Sequence, residues 1–130
     1  MKHLTTVGRI LFALPFGIMG LNHFLMFNYL VGISSTFIPG GGWTVIIAGL
    51  ALIAACISII LKKFIPLSCM LLAVLLLIFI LTIHIPALFD ANPEKFNFAF
   101  FGLFTNLALM GGSLFISGIY GEKEVKSEKL

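Results

Sequence analysis

Charge is what this chain has least of. Only 10% of its 130 residues are Asp, Glu, Lys or Arg, and just five of these are acidic. With 60% hydrophobic residues and a mean hydropathy of +1.15, that scarcity excludes an ordinary soluble globular domain. Cysteine is nearly absent too. Cys56 and Cys69 are the only two, and they form no CxxC pair. They flank the Lys62-Lys63 pair at similar depth, so contact between them stays open, but a reducing cytoplasmic side argues against a self-sufficient thiol–disulfide enzyme. As small apolar residues they suit helix packing. No HExxH, His-x-x-Glu or Cys/His cluster occurs, so no metal site is expected. No Gly-rich phosphate loop follows a strand. The net charge of +3 comes from scattered lysines and gives no reason to expect a nucleic-acid partner.

What the chain does have is four long apolar runs, at about residues 7–27, 43–61, 64–85 and 98–119. Each is near the ~20 residues a helix needs to cross ~30 Å of hydrocarbon. In lipid every backbone polar group must be paired within the segment, so the runs are expected to be helices. The connections are short. The expected fold is therefore an all-α integral membrane protein, an antiparallel bundle of four transmembrane helices forming one domain over 1–130. The first run is too long for a signal-peptide core and is read as a mature helix. Threading four crossings puts Lys2, Arg9, Lys62, Lys63, Lys123, Lys126 and Lys129 on one face and Lys95 on the other. The positive-inside bias then places both termini in the cytoplasm of a bacterial inner membrane.

Local signals sharpen the ends. Asn92 can cap, Pro93 suits a first helical position, and Glu94 sits at the positive end of the dipole, which extends the last helix to 93–119. Residues 120–130 read as a polar cytoplasmic tail. Pro66 falls in the first turn of the third helix, where a missing N–H does no harm. Pro15, inside the first helix, is expected to kink it. Small or polar residues recur at helical spacing and mark the inward faces. In the first helix these are Arg9, Ala13, Phe16, Gly17, Gly20 and His23. In the second they are Thr44, Ala48, Ala51, Ala55 and Ser58. In the fourth they are Ala99, Gly102, Asn106, Met110, Ser113 and Ser117. The third helix, almost all Leu, Ile, Val and Phe, is expected to face lipid or a second subunit along much of its length. The uncharged stretch 31–42, with Phe37, Ile38 and Pro39, reads either as a connector anchored by Trp43 or as a lid over the bundle mouth.

Polar residues at membrane depth are few, and such groups are functional candidates by default. Arg9 lies near the cytoplasmic interface and can snorkel to it. His23 stands 14 residues later, about 21 Å further along a helix rising ~1.5 Å per residue. By the same reckoning Asn22, His23, His84 and Asn106 all fall in the outer half, where they are expected to line one cavity. Aromatic side chains crowd that half, Phe27 and Phe104 among them. An apolar aromatic cleft with a few converging polar groups suits a lipophilic ligand, and a quinone is the candidate cofactor, since His and Asn can bond its carbonyl oxygens. The competing reading is that these His and Asn residues only join helices by hydrogen bonds.

Several short motifs together resemble one known family. They are Gly8-Arg9-Ile10-Leu11, Gly20-Leu21-Asn22-His23-Phe24, Ile38-Pro39-Gly40-Gly41, Thr82-Ile83-His84-Ile85-Pro86, and Asn106 through Gly111-Gly112. Over about residues 7–119 the layout resembles the DoxX family of small four-helix bacterial membrane proteins. The resemblance implies a redox-linked accessory subunit, as in an archaeal thiosulfate:quinone oxidoreductase, and not an enzyme as an isolated chain. Its expected partners are the lipid bilayer and a soluble oxidoreductase or another membrane protein, with a homo-oligomer also open. A wider set of relatives includes membrane chaperones, so a non-enzymatic assembly factor is the alternative. Many relatives carry an acidic residue in the second span; 43–61 has none here.

Overall fold

The computed structural model describes residues 2–34 and 40–128, so the stretch around Phe37, Ile38 and Pro39 lies outside the described residues. Every regular element among the described residues is helical. The chain forms α1 (Lys2–Leu25), α2 (Phe27–Ser34), α3 (Gly42–Leu61), α4 (Ile65–Phe79), a π-helical turn (Ile80–His84), a short α5 (Ile85–Ala87) and α6 (Pro93–Glu128). Four stretches are long and apolar enough to cross a membrane: His3–Leu25, Gly42–Leu61, Ile65–Ala87 and Pro93–Lys123.

The first helical region is longer than the sequence suggests. It starts at Lys2, runs unbroken through Pro15 and is interrupted only at Met26. Even there the Met26 N–H donates to the Asn22 carbonyl and the Leu30 N–H to the Met26 carbonyl, both at 2.9 Å, so the break leaves the backbone paired. Pro15 is exposed, with its ring off the packed face. At the start of α3, Gly40 and Gly41 take φ angles of 118° and 56°, which favour glycine because they carry no Cβ.

The turn from α3 to α4 is three residues long. Lys62 caps α3 in the left-handed region and donates its N–H to the Ser58 carbonyl. Lys63 N–H reaches the same carbonyl at 3.1 Å, and Phe64 is left-handed as well. Ser58 Oγ donates to the Lys63 carbonyl and accepts from Ser68 Oγ at 2.6 Å, tying the turn to α4. Pro66 sits in the first turn of α4.

The third apolar run is not one continuous α-helix. Over Ile80–His84 it widens into a π-turn in which the Ile85 N–H bonds the Ile80 carbonyl. Pro86 supplies the reason. It has no N–H to offer the carbonyl four residues back, and its ring crowds that carbonyl, so the preceding turn opens. The start of α6 follows its local code: Glu94 N–H donates to Asn92 Oδ1 at 2.9 Å. Lys95 Nζ donates to Asp90 Oδ2 at 2.8 Å, and this bond holds the Asp90 carboxyl below its ordinary range. At its other end α6 continues past the expected limit of residue 119, so much of the anticipated tail is helical.

Two helix pairs dominate the packing, α1 with α3 and α4 with α6, and α3 with α4 joins them. Their shared core is Ala13, Phe16, Leu52, Ala55, Cys56, Ile59, Ile65, Cys69, Leu72 and Leu76. Cys56 and Cys69 are both buried and unbonded. Ala48 and Ser113 are buried with them, but Ala51 faces outward, because the packed face of α3 runs through Val45, Gly49, Leu52 and Cys56 instead. The outward face of α4 carries Met70, Leu71, Val74 and Leu77, and Leu81 of the π-turn continues it.

Glycine sets the spacing of α1 and α3. A Cβ on Gly20 would stand 2.8 Å from the Gly49 carbonyl oxygen, and one on Gly17 would stand 2.8 Å from Cys56 Sγ. A Cβ on Gly49 would meet His23 Cβ at 2.8 Å in turn. Without a hydrophobic force between helices in lipid, such close backbone approach is what makes their association favourable. Gly20→Ala should therefore cost about 1–3 kcal/mol, because backbone cannot yield as a side chain can. Gly111→Ala, whose Cβ would meet nothing within 4 Å, should be neutral or stabilising. Melting temperatures in detergent check this, and equal shifts for the two variants would contradict it.

Candidate functional site

Where α1, α2, α3 and α4 meet, at the end of α3 remote from Lys62, they enclose a half-open cavity of about 220 Å³. Its walls include His23 from α1, Leu30 from α2, Thr44 and Ala48 from α3, and Leu75 and Phe79 from α4, with Ile83 of the π-turn beside them. His23 and Thr44 are the polar members. The cavity exists because Gly49 lets α3 close on His23 Cβ while the wider π-turn and small Ala48 leave space above.

The His23 ring lies over Phe79, centroids 6.3 Å apart and planes 18° from parallel. Its Nδ1 is 2.8 Å from the Met19 carbonyl oxygen. A carbonyl only accepts, so this contact assigns the proton to Nδ1 and leaves Nε2 of the neutral ring as a bare acceptor. Thr44 Oγ1 donates to the Gly41 carbonyl at 2.7 Å, so its hydroxyl proton is also committed.

His84 and Asn106 form a second, separate arrangement between the π-turn and α6. Asn106 Nδ2 donates to His84 Nε2 and to the Gly102 carbonyl, both at 2.9 Å. The Gly102 bond fixes which end of the amide faces inward, and His84 must then accept at Nε2 and carry its proton on Nδ1. That Nδ1 is buried without a partner. Gly102 is the saddle for this ring: a Cβ there would stand 2.6 Å from His84 Nδ1. The Phe98 ring lies 6.0 Å away, tilted.

The structure thus divides the single cavity expected from depth alone. Of Asn22, His23, His84, Asn106, Phe27 and Phe104, only His23 lines it. Asn22 is exposed on the far side of α1. Phe27 packs against Gly42, its Cζ 2.7 Å from where a Cβ would stand. Phe104 is 56% exposed and belongs to an outward row with Phe96 and Phe100. His84 is 6% exposed and Asn106 9%, paired with each other one residue beyond the wall at Ile83.

Arg9 was legible as a membrane-depth cation, but its role was not. It is 7% exposed, and its guanidinium turns to the end of α3 beside the Lys62 turn. Its Nη1 donates to the carbonyls of Ile59 and, at 2.7 Å, Ile60, capping the last turn of α3, while its Nε is buried and unpartnered. Ser117 Oγ donates to the Pro66 carbonyl at 2.8 Å and so links α6 to the first turn of α4. No group of three or more His, Cys, Asp or Glu side chains that could hold a metal ion occurs among the described residues.

No family model, no curated protein and no solved structure matches this chain.

The His84–Asn106 bond joins α6 to the π-turn, and both side chains are buried. A double-mutant cycle of His84→Phe and Asn106→Leu should give a coupling energy of about 0.6–1.7 kcal/mol in detergent. Strictly additive single effects would show that the bond contributes nothing.

Proposed function

We propose that the chain is a four-span integral membrane protein that holds a lipophilic ligand, a quinone or a related ring compound, in the cavity beside His23. The observation that carries this reading is the half-open apolar space of about 220 Å³ with a histidine and an aromatic ring in its wall. It is smaller than the ~300 Å³ and upward of pockets that swallow a drug-sized molecule. A single ring inside with its tail in the bilayer suits that volume. The short connections at Lys62–Phe64 and before Pro93 favour an antiparallel arrangement of the spans. The lysine bias favours cytoplasmic termini. The resemblance to the DoxX family rests on the sequence motifs alone, and with it come the bacterial inner membrane and a redox-linked accessory role beside a soluble oxidoreductase. The chain supplies a binding site and a scaffold, not a complete active centre.

A second reading, an assembly factor that binds other membrane proteins through its helices, is favoured by α6. It is the least buried of the four long apolar helices, and Phe98, Phe101 and Phe115 are 63%, 70% and 71% exposed on it.

Two measurements test the proposal. Reporter fusions after Leu130 and within residues 90–95 should report cytoplasmic and external positions respectively; an external signal from the first sinks the topology. Extraction of protein purified in mild detergent should yield a lipophilic ring compound at near one per chain. Ala48→Phe and Leu75→Trp, which fill the cavity, should lose at least about ten-fold of it, the occupancy expected when ~1.4 kcal/mol of binding is removed. Unchanged ligand content in both filled variants would overturn the cavity reading.

A further inference from the structure

The hydrogen-bond pattern around the cavity narrows what it can recognise. Its two polar wall residues have already committed their protons. His23 Nδ1–H is held by the Met19 carbonyl, and the Thr44 hydroxyl proton is held by the Gly41 carbonyl. Each partner lies on or just before the residue's own helix, so the geometry is local and persists whether or not a ligand is present. What remains is acceptor capacity: the Nε2 lone pair of His23 and the oxygen lone pairs of Thr44. The Nε2 atom has no hydrogen-bond partner among the described residues. The surrounding walls, Leu30, Ala48, Leu75 and Phe79, bring no donor.

We infer that the cavity selects for a ligand that donates, a lipophilic phenol or hydroquinone, over the same skeleton carrying only carbonyl or ether oxygens. This rests on the reading that the cavity holds a lipophilic ring, and it deepens that reading by naming the form of ring. A quinone carbonyl offered to neutral His23 meets a lone pair and finds no proton. The quinol hydroxyl meets the same lone pair and makes a bond. In a wall this apolar, an oxygen left unpaired is penalised and a paired hydroxyl is not, so the discrimination comes from both terms. Selectivity therefore follows from the choice of histidine tautomer, which a carbonyl one turn back along α1 enforces. The same logic separates this histidine from the buried His84, where the assignment is reversed: there the proton is on the unpartnered nitrogen.

The test needs a pair of ligands that differ only in the donor and cannot interconvert by oxidation. 4-Octylphenol and its methyl ether, 4-octylanisole, meet that need. Binding of each to the detergent-solubilised full chain is measured by calorimetry in the same buffer. The phenol should bind roughly five- to ten-fold tighter than the ether, the ratio expected for one hydrogen bond of about 1–1.4 kcal/mol. His23→Phe keeps a flat ring against Phe79 and removes both nitrogens; it should bind the two ligands equally and leave the melting temperature within the range of the Gly111→Ala control. His23→Gln, should the Phe variant fail to fold, restores an acceptor together with a donor and should bind the ether within two-fold of the phenol. Equal binding of both ligands to the wild type, with both lost in Ala48→Phe, overturns the selectivity and leaves the cavity reading standing. Binding that is absent in the wild type, or indifferent to Ala48→Phe, overturns both.

Discussion

The contact on which the rest of this structure depends is the approach of α1 to α3 at Gly20 and Gly49. Each glycine faces the other's backbone across a gap that no Cβ can enter. Within hydrocarbon, two leucine-faced helices gain nothing by leaving lipid for each other, so association depends on atoms that come close enough for dispersion and weak polar contacts. Once the two axes are pinned there, the positions above and below are set. Toward one end Phe16, Leu52 and Ile59 are fully buried in the core. Toward the other, the same spacing puts His23 over Gly49 while Thr44 and Ala48 fall short of α4, and a cavity results.

The buried polar atoms divide by what they do for the backbone. Arg9 answers carbonyls at the end of α3, where the ladder of i to i−4 bonds has run out, and Ser117 adds a bond from α6 to the Pro66 carbonyl in the first turn of α4. A helix end is the place where a buried guanidinium finds acceptors, and its charge also complements the negative pole of the helix it caps. His84 and Asn106 differ. They bond side chain to side chain, on a stretch already widened by Pro86, and leave one donor over. Arg9 completes the end of a helix, whereas Ser117 and the His84–Asn106 pair tie α6 to the helix beside it.

Much of this was legible in the residues. The start of α6 was, because Asn92, Pro93 and Glu94 act within one turn and need no tertiary information. The inward faces of α1 and α6 were, because Ala13, Gly20, Gly102, Ser113 and Ser117 are small or polar at a spacing that only an interior explains. α3 misled at Ala51, since alanine is at home both inside a bundle and against lipid, and the packed face was carried by the larger Leu52 beside it. The candidate site was half legible. Rise per residue gives depth along an axis, and it led to the expectation that Asn22, His23, His84 and Asn106 share one cavity. Counting gives no azimuth between helices, and the angular positions split them: one toward the cavity, two toward each other, one outward. The cap formed by Arg9 had no local signal, because its acceptors are 50 residues away in sequence.

The turn joining α3 to α4 has a bearing on how such a chain keeps its orientation. Lys62 and Phe64 both adopt φ near +59° and +55°, a region where a residue with a Cβ sits about 1–2 kcal/mol above glycine. Glycine at 62 would relax the backbone and leave the cap bond to Ser58 intact. It would also erase one of two adjacent positive charges at the only three-residue connection between long helices. Under the proposed topology, a lysine of the positive-inside bias thus occupies a site that backbone conformation alone would give to glycine. A population of sequences drifting toward the more relaxed turn would gain local stability and thin the lysine bias on which that proposed topology rests.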